Sequence, residues 1–133
     1  RRTAVQVLIE PDSEEIHQQT ALKKRLLRFF PFHFCRRAQT TRTKALLQNQ
    51  ILISDRSPFR VSRKHCIIDT VGDSVFIEDK TSQLGTFVNG IPIGGNSQET
   101  RVKLIHGSNT LVLGGQDSHV RFRLDVSVPD QAV

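Results

Sequence analysis

Tight-turn signals interrupt this chain so often that little room is left for a long helix. Val71-Gly72-Asp73, Asn89-Gly90, Gly94-Gly95-Asn96, His106-Gly107-Ser108-Asn109 and Gly114-Gly115 follow one another through the second half, and Pro11-Asp12-Ser13 and Asp55-Arg56-Ser57-Pro58 punctuate the first. Gly and Asn tolerate the positive φ that tight turns require, and Pro presets a turn while donating nothing to a ladder. Between the turns lie short segments rich in Val, Ile, Leu and Phe: 4–9, 32–36, 51–54, 65–70, 74–78, 86–88, 91–93, 101–105, 110–113 and 119–126. The last of these puts Val120, Phe122, Leu124 and Val126 on one face and His119, Arg121, Arg123 and Asp125 on the other, the period of a half-buried strand. Thr86 to Ile93 reads as two strands joined at Asn89-Gly90, a strong hairpin signal. Many short strands with frequent turns predict an all-β sandwich or barrel.

Helix signals are weaker. Ser13-Glu14-Glu15-Ile16 can open a helix, but Gln18-Gln19-Thr20 dilutes the apolar stripe, so residues 12–27 read as a strand-plus-loop insertion. Within 38–50, Lys44-Ala45-Leu46-Leu47-Gln48 predicts one or two helical turns inside a loop.

A length of 133 residues fits one domain, and a hydrophobic share of 37% is enough for a core. No run of eighteen apolar residues predicts a membrane span, and no secretory h-region follows Arg1-Arg2-Thr3. The absence of Met predicts a piece of something longer. Cys35 and Cys66 have neither disulfide-scaffold nor metal-ligand spacing and are expected as buried free thiols, which fits a cytoplasmic (intracellular) location. Charge is unevenly spread: residues 1–64 hold 14 Lys and Arg against 5 Asp and Glu, and residues 65–133 hold 5 against 8. A basic half suits nucleic acid or a phosphorylated partner, and equally a solvated surface.

No nucleophile elbow, Walker loop or zinc-protease pattern occurs, and the five His are scattered, so neither an enzyme, a cofactor nor a metal is expected. Three groups carry the usable chemistry. An apolar segment, Phe30 to Cys35, ends on Arg36-Arg37; a polar loop, Val61-Ser62-Arg63-Lys64, runs into His65-Cys66-Ile67-Ile68; and Asp79 to Leu84 leads into Gly85-Thr86-Phe87-Val88-Asn89-Gly90. Guanidinium, hydroxyl and backbone N–H groups on loops beside rigid strands are donors suited to a phosphate dianion.

These groups, in this order and spacing, resemble the forkhead-associated (FHA) domain family, whose members show Gly-Arg at a strand end, then Ser-x-x-His, then Gly-Thr-x-x-Asn-Gly. Here the positions read Cys35-Arg36, Ser62 to His65, and Gly85 to Gly90. The resemblance covers about residues 28–126 and implies a sandwich of two mostly antiparallel sheets with about eleven strands. Residues 1–27 would be an N-terminal edge strand and loop extension, and 127–133 a tail. It further implies a non-enzymatic module that binds a phosphothreonine-containing protein or peptide written by a Ser/Thr kinase. Arg36 and Ser62 would contact the phosphate; Arg63, the phosphate or peptide backbone; Gln83 and Leu84, the phosphate and peptide main chain. His65 would hold the Ser62 loop and Asn89 the Gln83 loop, with Gly85, Thr86 and Gly90 completing the scaffold.

Two positions depart from the family pattern. Cys35 replaces the glycine before the arginine, and Leu84 stands where many members have an asparagine that binds the ligand's backbone. Leu makes no such hydrogen bonds, so weaker anchoring, or a phospho-independent interaction domain, stays open. Nucleic-acid binding through the basic half is disfavoured because the aromatic residues sit in core-like contexts.

Overall fold

A computed structural model describes residues 5–39 and 42–128. Eleven strands run in chain order as β1 (Gln6–Pro11), β2 (Arg25–Leu26), β3 (Phe32–Arg36), β4 (Gln50–Ile53), β5 (Lys64–Val71), β6 (Ser74–Asp79), β7 (Thr86–Val88), β8 (Ile91–Ile93), β9 (Arg101–Lys103), β10 (Gly107–Leu113) and β11 (Arg121–Ser127). One helix, α1 (Glu14–Thr20), separates β1 from β2. The strands form a six-stranded sheet, β2-β1-β11-β10-β7-β8, and a five-stranded sheet, β4-β3-β5-β6-β9. All pairings are antiparallel except β3 with β4, which run parallel with Phe34 opposite Ile51 and Arg36 opposite Ile53.

Alternation drives the packing. In β11 the pattern predicted from sequence holds: Val120 just ahead of it and Phe122, Leu124 and Val126 within it are buried, and the residues between them are half-buried or exposed. Phe34 on β3 meets Phe122 on β11 edge to face, with centroids 5.1 Å apart, joining the two sheets through their shared core. Phe32 stacks on Phe34 in the same manner at 5.5 Å. Isoleucines from both sheets complete this interior, among them Ile9, Ile51, Ile68 and Ile77.

Four expectations need correction. Residues 12–27 contain a helix, because Ser13 caps it by accepting the Ile16 N–H at 3.3 Å and because Ile16 and Thr20 bury one side. The 38–50 stretch holds no helix among its described residues. Its backbone turns back instead, with the Leu52 N–H donating to Ala45 and the Leu47 N–H to Gln50. β1 is not an edge strand, since it lies between β2 and β11 in the six-stranded sheet. Of the two cysteines, Cys66 is buried, but Cys35 is only partly covered. The start of the first predicted strand and most of the predicted tail lie outside the described residues.

Strand directions gather the loops that matter. β3 and the parallel β4 finish at the same end of the sandwich, where the antiparallel β5 begins and β6 finishes. Gly85 O, at the start of β7, lies 2.8 Å from Nε2 of His65 near the start of β5, which brings β7 to that end too. No helix of the described residues is long and apolar enough to cross a membrane.

Candidate functional site

Arg36 is the last residue of β3, and its position is fixed by backbone contacts. Its N–H is shared between Ser62 O and Arg63 O, each at 3.2 Å, across a register shift at Phe34 and Cys35. Its side chain is steered as well. Nη1 donates to Val61 O at 3.1 Å, and the guanidinium carbon lies 3.8 Å from the ring centroid of Phe59. A cation over an aromatic face at that distance is attracted by the ring quadrupole, so Phe59 acts as a shelf beneath Arg36.

The loop carrying Phe59 is organised by Asp55. One carboxylate oxygen accepts the N–H groups of Arg60 at 2.7 Å and Val61 at 2.8 Å, and the other that of Arg56 at 2.9 Å. Three backbone donors on one carboxylate turn the segment back toward β5 and place Ser62 beside Arg36.

Ser62 joins two loops. Its hydroxyl accepts the Gln83 N–H at 3.0 Å, and its own N–H donates to Nδ1 of His65 at 3.0 Å. His65 is fully buried and, having accepted at Nδ1, donates from Nε2 to Gly85 O at 2.8 Å. That pairing defines the neutral tautomer. Burial lowers the His65 pKa below its ordinary 6.5, while the Gly85 carbonyl and the carboxylates of Asp79 and Asp55 push it back up. His65 is therefore a brace between the Ser62 and Gly85 segments.

The 80–85 loop closes on a buried carboxylate. Asp79, 4% exposed, accepts from the N–H and hydroxyl of Ser82 at 2.9 and 2.6 Å and from the Thr86 hydroxyl at 2.7 Å. The Ser82 hydroxyl in turn accepts the Gly85 N–H at 3.0 Å. Room for this carboxylate depends on Gly94, where a Cβ would fall 2.0 Å from Asp79 Cγ and where φ is +67°. Gln83 and Leu84 end up on the outer surface of the loop, Leu84 46% exposed.

The structure thus brings Arg36, Ser62, Arg63, Gln83 and Leu84 to one end of the sandwich, with His65, Gly85 and Thr86 behind them. Asn89 and Gly90 are placed elsewhere. Asn89 has φ of +52°, accepts the Thr110 N–H at 2.9 Å and donates to Asn109 at 2.9 Å. It pins the β7–β8 turn to β10, at the opposite end of β7 from the Gln83 loop, because an Asn-Gly pair is consumed by the hairpin it makes.

Phe59, Asp55, Asp79 and Gly94 were not singled out from the sequence. Asp79 carried a readable signal, a serine three residues on, the spacing at which an aspartate side chain accepts the i+3 N–H as it does at a helix cap. Phe59 carried none, since nothing local says which side chain will lie over it. Burial raises the Cys66 pKa well above its ordinary 9.0, and burial likewise raises that of Cys35, opposed by the Lys64 charge, so the protonated thiol is favoured at both positions.

The FHA domain family model matches residues 42–114. No curated protein sequence matches significantly. Among solved structures, an FHA domain from Chlamydia trachomatis superposes with a TM-score of 0.60 at 22% identity, covering 96% of this chain and 99% of its own. An FHA domain of an Arabidopsis thaliana hypothetical protein gives 0.57 at 18%, covering 96% and 89%. The N-terminal FHA domain of S. cerevisiae Rad53p, in complex with a phosphothreonine peptide, gives 0.50 at 20%, covering 96% and 95%. At such identities the likeness is one of fold.

Proposed function

This chain belongs to the FHA domain family of protein-interaction modules, and we propose that it binds a phosphothreonine-containing segment of a partner protein. The observation that carries this reading is the bond from the Gln83 N–H to the Ser62 hydroxyl, which sets two loops side by side next to the Arg36 guanidinium. Arg36 supplies the charge, its fork steadied on Phe59 and Val61 O. The Ser62 hydroxyl, having accepted one hydrogen bond, still has its own proton to donate to a phosphate oxygen. Arg63, exposed beside it, adds a second cation.

Nothing is chemically transformed, and the module is not an enzyme. A cluster held in place before binding replaces water around a dianion, so reorganisation costs little. Net affinity is set at about the micromolar level, because a short peptide covers little area and must be ordered. The fit of the Rad53p domain, which holds a phosphothreonine peptide, supports the same ligand class here. A Ser/Thr kinase supplies the mark, which places the module in intracellular signalling. A second reading, a phospho-independent interaction domain, draws on exposed Leu84 at the position where the family's ligand-binding amide is expected.

Fluorescence anisotropy against degenerate pools carrying phosphothreonine, phosphoserine or plain threonine separates the readings, with wild type beside Arg36→Ala. Saturable binding to the phosphothreonine pool alone, lost in Arg36→Ala, is the expected result. Equal binding to all three pools, unaffected by Arg36→Ala, establishes the phospho-independent reading instead.

A further inference from the structure

Phe29 departs from the core-like setting expected of the aromatic residues. It is 48% exposed, and no other ring or cation lies against it among the described residues. It forms one wall of a hollow of about 380 Å³, shared with Arg25, Leu26, Arg28 and Gln48, and none of these is a carboxylate. Arg25 is held in place by its Nη2, which donates to Leu47 O at 2.9 Å and so ties β2, an edge strand of the six-stranded sheet, to the segment ahead of β4. Arg28 and Lys23 are exposed, and neither has a carboxylate partner among the described residues. Lys24, 61% exposed at its side chain, shares Glu10 with Arg123. Phe29 precedes the start of β3 and Gln48 the start of β4, so the hollow lies at the end of the sandwich opposite Arg36.

We propose that this basic flank binds single-stranded nucleic acid, with one unstacked base on Phe29. Such a base offers a flat π face and a hydrogen-bonding edge. The exposed ring receives the face. The Gln48 side-chain amide, exposed and without a hydrogen bond among the described residues, meets the edge with both a donor and an acceptor. Arg28, Lys23 and Lys24 meet the backbone phosphates, whose neutralisation supplies affinity whatever the sequence. Other polyanions use less of what is present. A lipid surface is held in proportion to the apolar area it buries, and one Phe beside half-buried Leu26 offers little. An acidic protein segment pairs with the cations but leaves the Phe29 face and the Gln48 amide idle. A duplex keeps its bases stacked, away from the ring.

The test is an anisotropy titration of the whole chain with a labelled oligothymidine strand of about 12 nucleotides, beside its duplex, phosphatidylserine vesicles and polyglutamate. Binding to the single strand is expected to weaken with salt at a log–log slope of about −2, from about three phosphate contacts. Phe29→Ala is expected to lose about tenfold in affinity with the slope unchanged, and Arg28→Gln to flatten the slope by about 0.7. The chain contains no Trp, so Phe29→Trp installs a single indole; it is expected to retain binding and to be quenched by the strand. Thermal melts check that each variant is folded. Arg36→Ala is expected to bind the strand as wild type does, which keeps this surface separate from the phosphothreonine site. Absent binding, a duplex bound as tightly as the single strand, or an affinity that survives Phe29→Ala overturns the proposal and leaves the phosphothreonine reading untouched. Tighter binding to the vesicles or to polyglutamate, lost in Arg28→Gln, overturns it in favour of that partner.

Discussion

The Ser62 hydroxyl accepts a hydrogen bond from the backbone N–H of Gln83, 21 residues away in sequence, at 3.0 Å. The two loops facing the proposed ligand are therefore one structural unit, and each residue that holds the unit together makes a measurable prediction.

Replacing Ser62 with alanine removes the proposed phosphate donor and leaves the Gln83 N–H to water. The loops are solvent-facing, so folding stability is expected to change by less than about 1 kcal/mol while phosphopeptide affinity falls about tenfold. Titration calorimetry beside chemical denaturation measures both; an unchanged affinity excludes Ser62 from the phosphate contact.

Gly94→Ala acts from behind the site. The new Cβ would overlap the Asp79 carboxylate, and the residue would have to hold φ of +67°. A loss of about 3 kcal/mol or more is expected from the two effects together. A urea midpoint that fails to move would mean that the Asp79 network relaxes without cost.

His65 links stability to pH. Its folded pKa is lowered from 6.5, mainly by burial, so the unfolded chain binds the proton more readily. The neutral brace then contributes fully above the unfolded pKa, and stability declines as pH falls from there toward the folded pKa, by at most about 1.4 kcal/mol per pH unit for one proton. Thermal melts of wild type and His65→Gln across that range are expected to show the steeper decline in wild type. Parallel slopes would remove His65 as the source.

Leu84→Asn restores the amide found at this position in many FHA domains. With the loop already held by Asp79 and His65, the new side chain needs no rearrangement, and phosphopeptide affinity is expected to rise about fivefold. Weaker binding in this variant would show that Leu84 itself touches the ligand.

The strands, their alternation and the Asn89-Gly90 hairpin were legible in the sequence because period-two burial and turn chemistry are local properties. Order and spacing also picked out Arg36, Ser62 and His65, which the structure places close together. Helix α1 was misjudged because its two buried residues, Ile16 and Thr20, are stabilised by packing beside β1 and β4 rather than by an apolar periodicity of its own. The central position of β1 depends on pairing with β11, more than a hundred residues downstream, and no local pattern encodes that choice. Asn89 was given the wrong partner for a related reason: its sequence neighbourhood reveals the turn, but not that Asn109 and Thr110 stand across from it. Residue types and spacing alone determined a β-rich FHA-like chain with a phosphate-suited set of donors. The tertiary structure alone decided that Phe59 lies under Arg36 and that Asp79 closes the 80–85 loop, because side chains distant in sequence meet only once the strands have chosen their neighbours.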